Sequence, residues 1–420
     1  MSVTSRPARS AAAYYNVRLF VAGQALSNIG TFSQLVALSL LVLQLSDSGF
    51  ALGATMSVQA APMLLLGPWA GVVLDRASLR RLQLITAVLG ALQAFGLAFL
   101  ALTGLVSLPW ILLLALGLGA VQAFDRPAAQ AFLVELVPPS SLNSAVALAS
   151  TTQSIGRLGG PALAALLYVW QGPGTVFAVN GLSYLAVLAA LLLLRPRELL
   201  PRVPQPPRPG QFKAALNVAW HSPVLRPALL ANAFVGLFAF NFPTFFSTIA
   251  TLTFGQPELF GWAESINAVA ALAAGLFMSR SVSSPSGRLV SLTCLGLGSA
   301  LLWVAVSPTP LVFLASMPWF GFVVVAYSVS MQALVQHHSP RDMAGRLMSL
   351  YALGTLGTTP LGGLLVGVMI DQISPRAAVG VGGASAVLAG VFLLRALREK
   401  HSGAELRRQV DKVVSEVVEG

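Results

Sequence analysis

Long apolar runs follow one another along the whole chain, and they restrict its fold more than any other feature. A helix that crosses a membrane needs about 20 largely apolar residues. Hydrophobic residues make up 56% of the chain, against the roughly 45–50% that is usual in soluble domains. The predicted fold is therefore an all-α membrane protein with twelve transmembrane helices. The predicted spans are 18–45, 50–74, 82–104, 109–134, 142–169, 175–194, 226–252, 258–280, 288–306, 310–335, 345–370 and 377–397.

Charged residues are rare and lie mainly in the gaps between these runs. The net charge of +11 could indicate a nucleic-acid partner, but charges confined to loops argue against one. If the N-terminus is inside, almost all loop arginines and lysines fall on the cytoplasmic side, as the positive-inside rule requires. An even number of spans with both termini in the cytoplasm follows from this pattern.

A polar, proline-rich stretch at 195–225 divides the spans six and six. Dense prolines predict an extended, semi-rigid spacer. Weak matches between the halves, such as Pro161 with Pro360 and Arg76 with Arg280, indicate a duplicated pair of pseudo-symmetric six-helix bundles. The predicted parts are a cytoplasmic N-terminal segment (1–17), a first bundle (18–194), the linker (195–225), a second bundle (226–397) and a cytoplasmic tail (398–420).

Enzymatic chemistry has little support in this sequence. Cys294 is the one cysteine, which excludes an intramolecular disulfide and a cysteine-based metal site. The sequence has no phosphate-binding glycine loop, no zinc-type histidine spacing and no nucleophile elbow. No catalytic residue, cofactor or metal is predicted, and an ATP-driven pump is disfavoured. The N-terminus lacks a cleavage-type signal, so we expect it to be part of the mature protein.

A short charged turn between spans 2 and 3 carries the most specific motif of the chain. It reads Gly71-Val-Val-Leu-Asp75-Arg76, with Arg80 and Arg81 close behind. This turn, together with twelve spans and a basic central loop, resembles the major facilitator superfamily. Three further segments, 20–30, 125–138 and 157–162, are similar to the bacterial exporter branch that includes enterobactin and macrolide exporters. The resemblance covers nearly the whole chain.

The resemblance implies a secondary active transporter that works by alternating access. It implies proton-coupled export of small amphipathic organic molecules of the drug or siderophore type, by a monomer in the bacterial cytoplasmic (inner) membrane. The alternatives are a lipid or lysolipid transporter, or a non-transporting membrane sensor on the same fold. The expected partners are the small-molecule substrate, protons and the lipid bilayer.

The resemblance also assigns a role to the charged turn. In the family, the carboxylate at the position of Asp75 meets the N-terminus of span 11, here near Gly345 and Arg346. A helix N-terminus attracts an acid by roughly 0.3–1 kcal/mol when exposed, so this contact would act as a conformational latch. The predicted latch residues are Gly71, Asp75, Arg76, Arg80, Arg81, Gly345 and Arg346. A solvated loop that obeys the positive-inside rule would explain the arginines equally well.

Several charged residues lie inside predicted spans, where a charge costs about 2.5–3.5 kcal/mol on insertion scales. Arg157 falls near the middle of span 5 and either pairs with Asp125 or Glu135, or faces a cavity that binds anionic cargo or supports proton coupling. Glu264 in span 8 is a proton-site candidate if it is desolvated, and an ordinary wet residue if it lies at the mouth. The proton-coupling candidates are Glu264, Asp125 and Glu135.

Polar residues without charge mark the predicted substrate cavity. Gln24 and Asn28 are four residues apart and share one helix face. Asn232 and Asn241 cannot both face a cavity on a straight helix, unless Pro243 bends it. The phenylalanines of span 7 are equally consistent with cavity walls and with lipid-facing positions. The cavity candidates are Gln24, Asn28, Gln34, Gln59, Arg157, Asn232, Asn241, Phe238 and Phe245.

Overall fold

The computed structural model describes residues 10–200, 211–281, 286–340 and 343–398, and these residues are almost entirely helical. The helices of the first half are α1 (Tyr15–Ser46), α2 (Gly49–Arg76), α3 (Leu79–Leu102), α4 (Leu108–Leu136), α5 (Leu142–Gln171) and α6 (Pro173–Leu193). Those of the second half are α7 (Gln211–His221), α8 (Leu225–Phe238), α9 (Phe242–Thr248), α10 (Glu258–Ser281), α11 (Gly287–Val306), α12 (Pro310–His337), α13 (Ala344–Leu356), α14 (Thr359–Gln372) and α15 (Pro375–Arg398).

The predicted all-α membrane class is confirmed. Within the described ranges, 11 helical stretches are long and apolar enough to cross a membrane. The remaining long helix, α5, has 30 residues and carries a polar face, which lowers its mean hydropathy. The predicted spans agree with these helices to within a few residues. Helix α4 continues through Asp125-Arg126-Pro127 without a break, in agreement with the predicted span 109–134.

The chain divides into two compact units. Unit 1 holds the described residues of Met1–Leu45 and Val58–Pro206, and unit 2 those of Ser46–Ser57 and Pro207–Gly420. In unit 1, α3 packs along α6 and against α4. In unit 2, α11 packs along α15 and against α12. The third span of each half thus pairs with the sixth and the fourth, which is the pattern expected of a repeat.

Two glutamine pairs join α1 to α3 inside unit 1. The Nε2 of Gln24 donates to the Oε1 of Gln83 at 3.4 Å, and the Nε2 of Gln34 donates to the Oε1 of Gln93 at 3.1 Å. The Nδ2 of Asn180 on α6 completes the second pair by donating to the Oε1 of Gln34 at 2.7 Å. Hydrogen bonds of this kind hold helices together where lipid leaves no hydrophobic driving force between them.

The interior of unit 2 is built from aromatic rings. Phe242, Phe246 and Phe320 meet edge to face or stacked, and the ring centroids of Phe246 and Phe320 are 4.9 Å apart. Phe246 and Phe320 are fully buried. The seventh span is broken between Phe238 and Phe242 and restarts with Pro243 in its first turn. The seventh span is therefore interrupted just before Pro243, where the sequence allows a bend.

The central linker contains a helix that the proline content did not predict. Residues 201–210 lie outside the described ranges, and Gln211 begins α7 two residues after Pro209, where the dense run of prolines ends. Ala215, Val218 and Ala219 of α7 are buried against Leu225 and Leu347 of unit 2. Burial of this apolar face of α7 explains why the segment is helical.

Asp371 caps the N-terminus of α2 within unit 2. Its two carboxylate oxygens accept from the backbone N–H of Gly49 at 2.6 Å and of Phe50 at 3.1 Å. They also accept from the Ser48 hydroxyl at 2.6 Å, whose oxygen accepts from the N–H of Ala51 at 3.1 Å. Orphan donors of the first helical turn are thus satisfied by a residue more than 300 positions away.

Candidate functional site

A cavity of about 360 Å³ opens inside unit 1. Helices α1, α2, α4, α5 and α6 line it, and α1 and α4 contribute the most residues. Its charged lining consists of Asp125, Arg126 and Arg157. Its other polar lining residues are Gln24, Ser27, Asn28, Thr31, Gln34, Gln59, Gln122, Gln130, Ser150, Thr152, Gln153 and Tyr184. Amides and guanidinium groups therefore dominate its polar surface.

One face of α4 supplies the first arginine. Gln122, Arg126 and Gln130 are four residues apart, so they lie above one another on the helix, and all three line the cavity. Arg126 and Gln130 are exposed to it. The sequence carries Arg126 in the middle of a spanning helix because this face is turned away from lipid.

One face of α5 supplies the second arginine. Ser150, Gln153 and Arg157 line the cavity at the spacing that places residues on one side of a helix. Two glycines bring this helix against α1: a Cβ at Gly156 would lie 2.5 Å from the Cβ of Asn28, and one at Gly160 would lie 2.8 Å from the carbonyl oxygen of Ile29. Only glycine permits so close an approach.

Arg157 faces the cavity as a free cation. Among the described residues its guanidinium makes no ion pair with Asp125 or Glu135, and its Cζ lies 5.7 Å from the centroid of the Phe32 ring. A cation over an aromatic face at this distance is weakly held. The structural ion pair considered as an alternative for Arg157 is therefore absent from the described part of the chain. Arg126 is close enough to Arg157 for the two charges to repel each other.

Asp125 is held by α3 instead of by an arginine. Its Oδ1 accepts from the hydroxyl of Thr86 at 2.7 Å and from the Nε2 of Gln83 at 3.1 Å. Gln83 is fully buried and also accepts from Gln24 at 3.4 Å. Asp125 and Arg126 are neighbours in sequence, but their side chains differ in direction. The Asp125 carboxylate is hydrogen-bonded to α3, and the Arg126 guanidinium is exposed in the cavity.

The amides predicted on α1 and α2 lie in this cavity. Gln24 and Asn28 line it, and Asn28 donates to the Oγ1 of Thr152 on α5 at 3.1 Å. Gln34 also lines the cavity, although its side chain is only 1% exposed. Gln59 of α2 also lines it, and its Oε1 is buried without a hydrogen-bond partner among the described residues.

The cavity candidates of the second half have different surroundings within unit 2. Asn232 is 1% exposed and donates to the carbonyl oxygen of Tyr351 at 3.0 Å and to the Oγ1 of Thr355 at 2.9 Å. Asn241 is buried at the break before α9 and donates to the carbonyl oxygen of Leu237 at 3.0 Å. Phe245 is 0% exposed, which makes it neither a cavity wall nor a lipid-facing residue in this structure.

Phe238 and the two remaining acids lie outside the unit 1 cavity. Phe238 is half-buried and packs edge to face on Phe234 at 5.2 Å. Glu264 is half-buried on α10, where its Oε2 accepts from the Nδ2 of Asn267 at 3.4 Å. Glu135 lies at the end of α4, where its backbone oxygen accepts from the N–H of Leu200 at 2.8 Å.

The predicted latch is described only in part. Gly71 and the Asp75 side chain lie outside the described residues, so the latch stays a prediction. Arg80 has a local role, since its Nε donates to the carbonyl oxygen of Leu191 at 3.0 Å near the end of α6. A cation at a helix C-terminus stabilises the unpaired carbonyls there. Arg76, Arg81 and Gly345 are exposed, and Arg346 is half-exposed.

Sequence reasoning missed more than half of the polar lining residues. Gln122, Arg126 and Gln130 on α4, and Gln153 on α5, were not selected, nor were the two residues of α3 that hold Asp125. The missed signal was the spacing of polar residues at intervals of three or four within two otherwise apolar helices. Once Arg157 is placed in a cavity, that spacing identifies the residues that accompany it.

Comparison with known proteins gives a consistent result. The family model described as transmembrane secretion effector matches residues 12–418. The enterobactin exporter EntS of Salmonella typhimurium is 23% identical over 376 residues, which cover 87% of this chain and 88% of that protein. The multidrug efflux pump Tap of Mycolicibacterium fortuitum is 25% identical over 360 residues, covering 80% and 85%.

Solved structures agree on the fold. A D-xylose–proton symporter superposes with a TM-score of 0.72 at 15% identity, covering 91% of this chain and 98% of the symporter. At this level of sequence identity, the similarity supports the fold and not the function.

Proposed function

Because this chain belongs to the transmembrane secretion effector family of major facilitator superfamily transporters, we propose that it exports small amphipathic organic molecules by alternating access. Its relatives and the solved structures that resemble it are transporters, so the chain is a transporter and not an enzyme. We further propose that it lies in the bacterial cytoplasmic membrane as a monomer with both termini in the cytoplasm, as the distribution of arginines predicts.

The polar cavity of unit 1 is the observation that carries this proposal. Polar and charged residues are costly within a membrane and face a cavity or each other. Here two arginines and many amides surround a space of about 360 Å³, which is within the range of small-molecule sites. The cavity also has apolar walls, including Phe20, Leu35, Leu38 and Leu118. Such a lining suits a cargo with both a polar and an apolar part.

Asp125 is the first candidate for proton coupling. It is a carboxylate that lines the proposed substrate cavity, next to Arg126 and within hydrogen-bonding distance of Thr86. A proton on Asp125 would change the charge of the cavity by one unit, which is how cargo release and proton uptake can be linked. Glu264 in unit 2, the first candidate from the sequence, becomes the second because it does not line this cavity, and Glu135 is the third.

Transport into inside-out vesicles tests the proposal. Purified protein is reconstituted in proteoliposomes with an imposed pH gradient, and uptake of a panel of labelled organic molecules is measured. We expect concentrative uptake that is abolished by a protonophore. Equal uptake with and without the gradient across the whole panel would contradict proton-driven export. Uptake restricted to lysolipids would assign the chain to lipid transport.

A further inference from the structure

The cavity of unit 1 contains more positive than negative charge, and its negative charge is already engaged. Arg126 and Arg157 line it together with Asp125. The Asp125 carboxylate accepts from Thr86 and Gln83, whereas neither arginine forms an ion pair within the described residues. Both guanidinium groups are therefore available to a bound molecule.

We propose that this cavity binds organic anions, with the anionic group of the cargo held between Arg126 and Arg157. This inference rests on the proposed function and adds the charge class of the substrate. Guanidinium groups bind carboxylates, sulfonates and phosphates through paired N–H donors. An anion placed between the two arginines also removes the repulsion that they exert on each other.

The surroundings of the arginines suit an anion that carries an aromatic or apolar body. Gln122, Gln130 and Gln153 lie on the same helix faces as the arginines and supply neutral N–H donors. Phe32 lies under Arg157 at 5.7 Å, and Tyr184 contributes a second ring. A flat apolar body can pack against these rings while the anionic group contacts the guanidinium groups.

The cost of the arginines supports a binding role. An arginine at the centre of a membrane helix costs about 2.5–3.5 kcal/mol on insertion scales. Arg157 lies near the middle of α5, and Arg126 of α4 lines the same cavity. The structural alternative requires a buried carboxylate partner for each. The described residues provide no such partner for Arg157, so its charge is left for a ligand.

A binding series that varies charge at constant shape tests this inference without requiring transport. Purified wild-type protein in nanodiscs is titrated calorimetrically with naphthalene-1-carboxylate, naphthalene-1-sulfonate and 1-naphthyl phosphate. The matched controls are naphthalene-1-carboxamide, which is neutral, and 1-naphthylmethylammonium, which is cationic. We expect at least one anion to bind at least about tenfold more tightly than the amide, a difference of about 1.4 kcal/mol. Anions that bind no better than the amide would overturn the proposal.

Variants then locate the site. Arg126→Gln and Arg157→Gln should each weaken the anion about tenfold and leave binding of the amide unchanged, while Arg157→Lys should retain part of the preference. Arg18→Gln is the control, since Arg18 is exposed on α1 and does not line the cavity. A preference for anions that persists in the double Gln variant would place the anion elsewhere and overturn the assignment.

One further arm separates the two sources of such an anion. Displacement of the bound naphthalene probe by lysophosphatidylglycerol below its micelle concentration, lost in Arg157→Gln, would support the site and identify a lipid headgroup as its ligand. Resistance to displacement would support it and favour a soluble organic anion. Selective anion binding combined with absent vesicle uptake would leave this inference intact and contradict the proposed export.

Discussion

The two units share a pattern of helix pairing but differ in what fills them. Unit 1 encloses a cavity lined by amides and two arginines, whereas the aromatic cluster of unit 2 is made of buried rings such as Phe246 and Phe320. Asn28 of unit 1 faces the cavity, while Asn232 of unit 2 is fully engaged by its neighbours. Under the proposed function, one copy of a duplicated architecture is used for recognition and the other for packing.

This contrast separates amides that have a structural role from amides that are proposed to contact a ligand. Asn232 of unit 2 uses its hydrogen bonds to hold helices together, since it contacts both Tyr351 and Thr355. Gln59 in the unit 1 cavity has a buried Oε1 without a hydrogen-bond partner among the described residues, and we propose that this atom is used by a ligand. The same residue type therefore has a structural role in one unit and a proposed recognition role in the other.

Matched phenylalanine truncations should produce the largest difference between the units. Phe246→Ala leaves a void among packed rings, and we expect a loss of about 3 kcal/mol, the lower end for such changes in a core. In lipid the loss comes from missing packing contacts. Phe32→Ala at the half-buried cavity wall should cost about 1 kcal/mol. Unfolding in sodium dodecyl sulfate measures both, and equal losses would remove the contrast.

Neutralising one acidic residue in each unit should show which unit contains the proton-coupling site. Asp125→Asn keeps the side-chain shape but cannot release a proton, so we expect gradient-driven uptake to fall roughly 100-fold, equivalent to about 2.7 kcal/mol. Glu264→Gln in unit 2 should stay within about threefold of the wild type. The measurement is vesicle uptake with an imposed pH gradient. The reverse pattern would move coupling to unit 2.

Matched asparagine replacements test the division between structural and ligand-directed amides. Asn232→Leu removes hydrogen bonds to α13 and leaves polar partners buried, so we expect a stability loss of about 1–2 kcal/mol. Asn28→Leu removes one contact, with Thr152, and should cost about 0.6 kcal/mol or less. Unfolding titrations give both values. A larger loss for Asn28→Leu would show that the cavity amides are structural too.

Removal of the helix cap at Asp371 should cost no more stability than Asn232→Leu. Asp371→Ala leaves donors of the first turn of α2 unsatisfied, which typically costs about 1 kcal/mol. Asp47→Asn is the matched control, because Asp47 is exposed and has a φ of 47°, a conformation that asparagine also tolerates. We expect its unfolding midpoint to equal that of the wild type. A shift as large as that of Asp371→Ala would refute a specific cap.

The spans were predictable because a membrane imposes its thickness on every helix. Even α4, interrupted in sequence by Asp125-Arg126-Pro127, forms a continuous helix, since proline within a membrane helix is tolerated when neighbours satisfy the backbone. Helix α7 was not predictable from the prolines around it. Its order depends on burial of Ala215 and Val218 against unit 2, a contact that no local pattern reveals.

The candidate site was predictable only where polarity is conspicuous. Arg157 stands out in an apolar helix, as do three amides of α1, and all four residues line the cavity: Arg157, Gln24, Asn28 and Gln34. The hydrogen-bond partners of Asp125 did not stand out in the sequence. Gln83 and Thr86 lie on α3, and they reach Asp125 only because α3 packs against α4. Which face of each helix turns inward is decided by packing between helices, and a single sequence does not state it.

The polar face of α5 also has a consequence for how the chain reaches its membrane. A segment with Arg157 at its centre gains little from leaving the insertion channel for lipid on its own. Its glycines fit against α1, where Gly160 also accepts through its carbonyl oxygen from the Ser33 hydroxyl at 2.8 Å. Synthesis delivers α1 before α5, so a partner that can shield the polar face is already present when it emerges. We therefore expect α1 to act, during biogenesis, as an insertion partner for the helix that contributes Arg157 to the cavity.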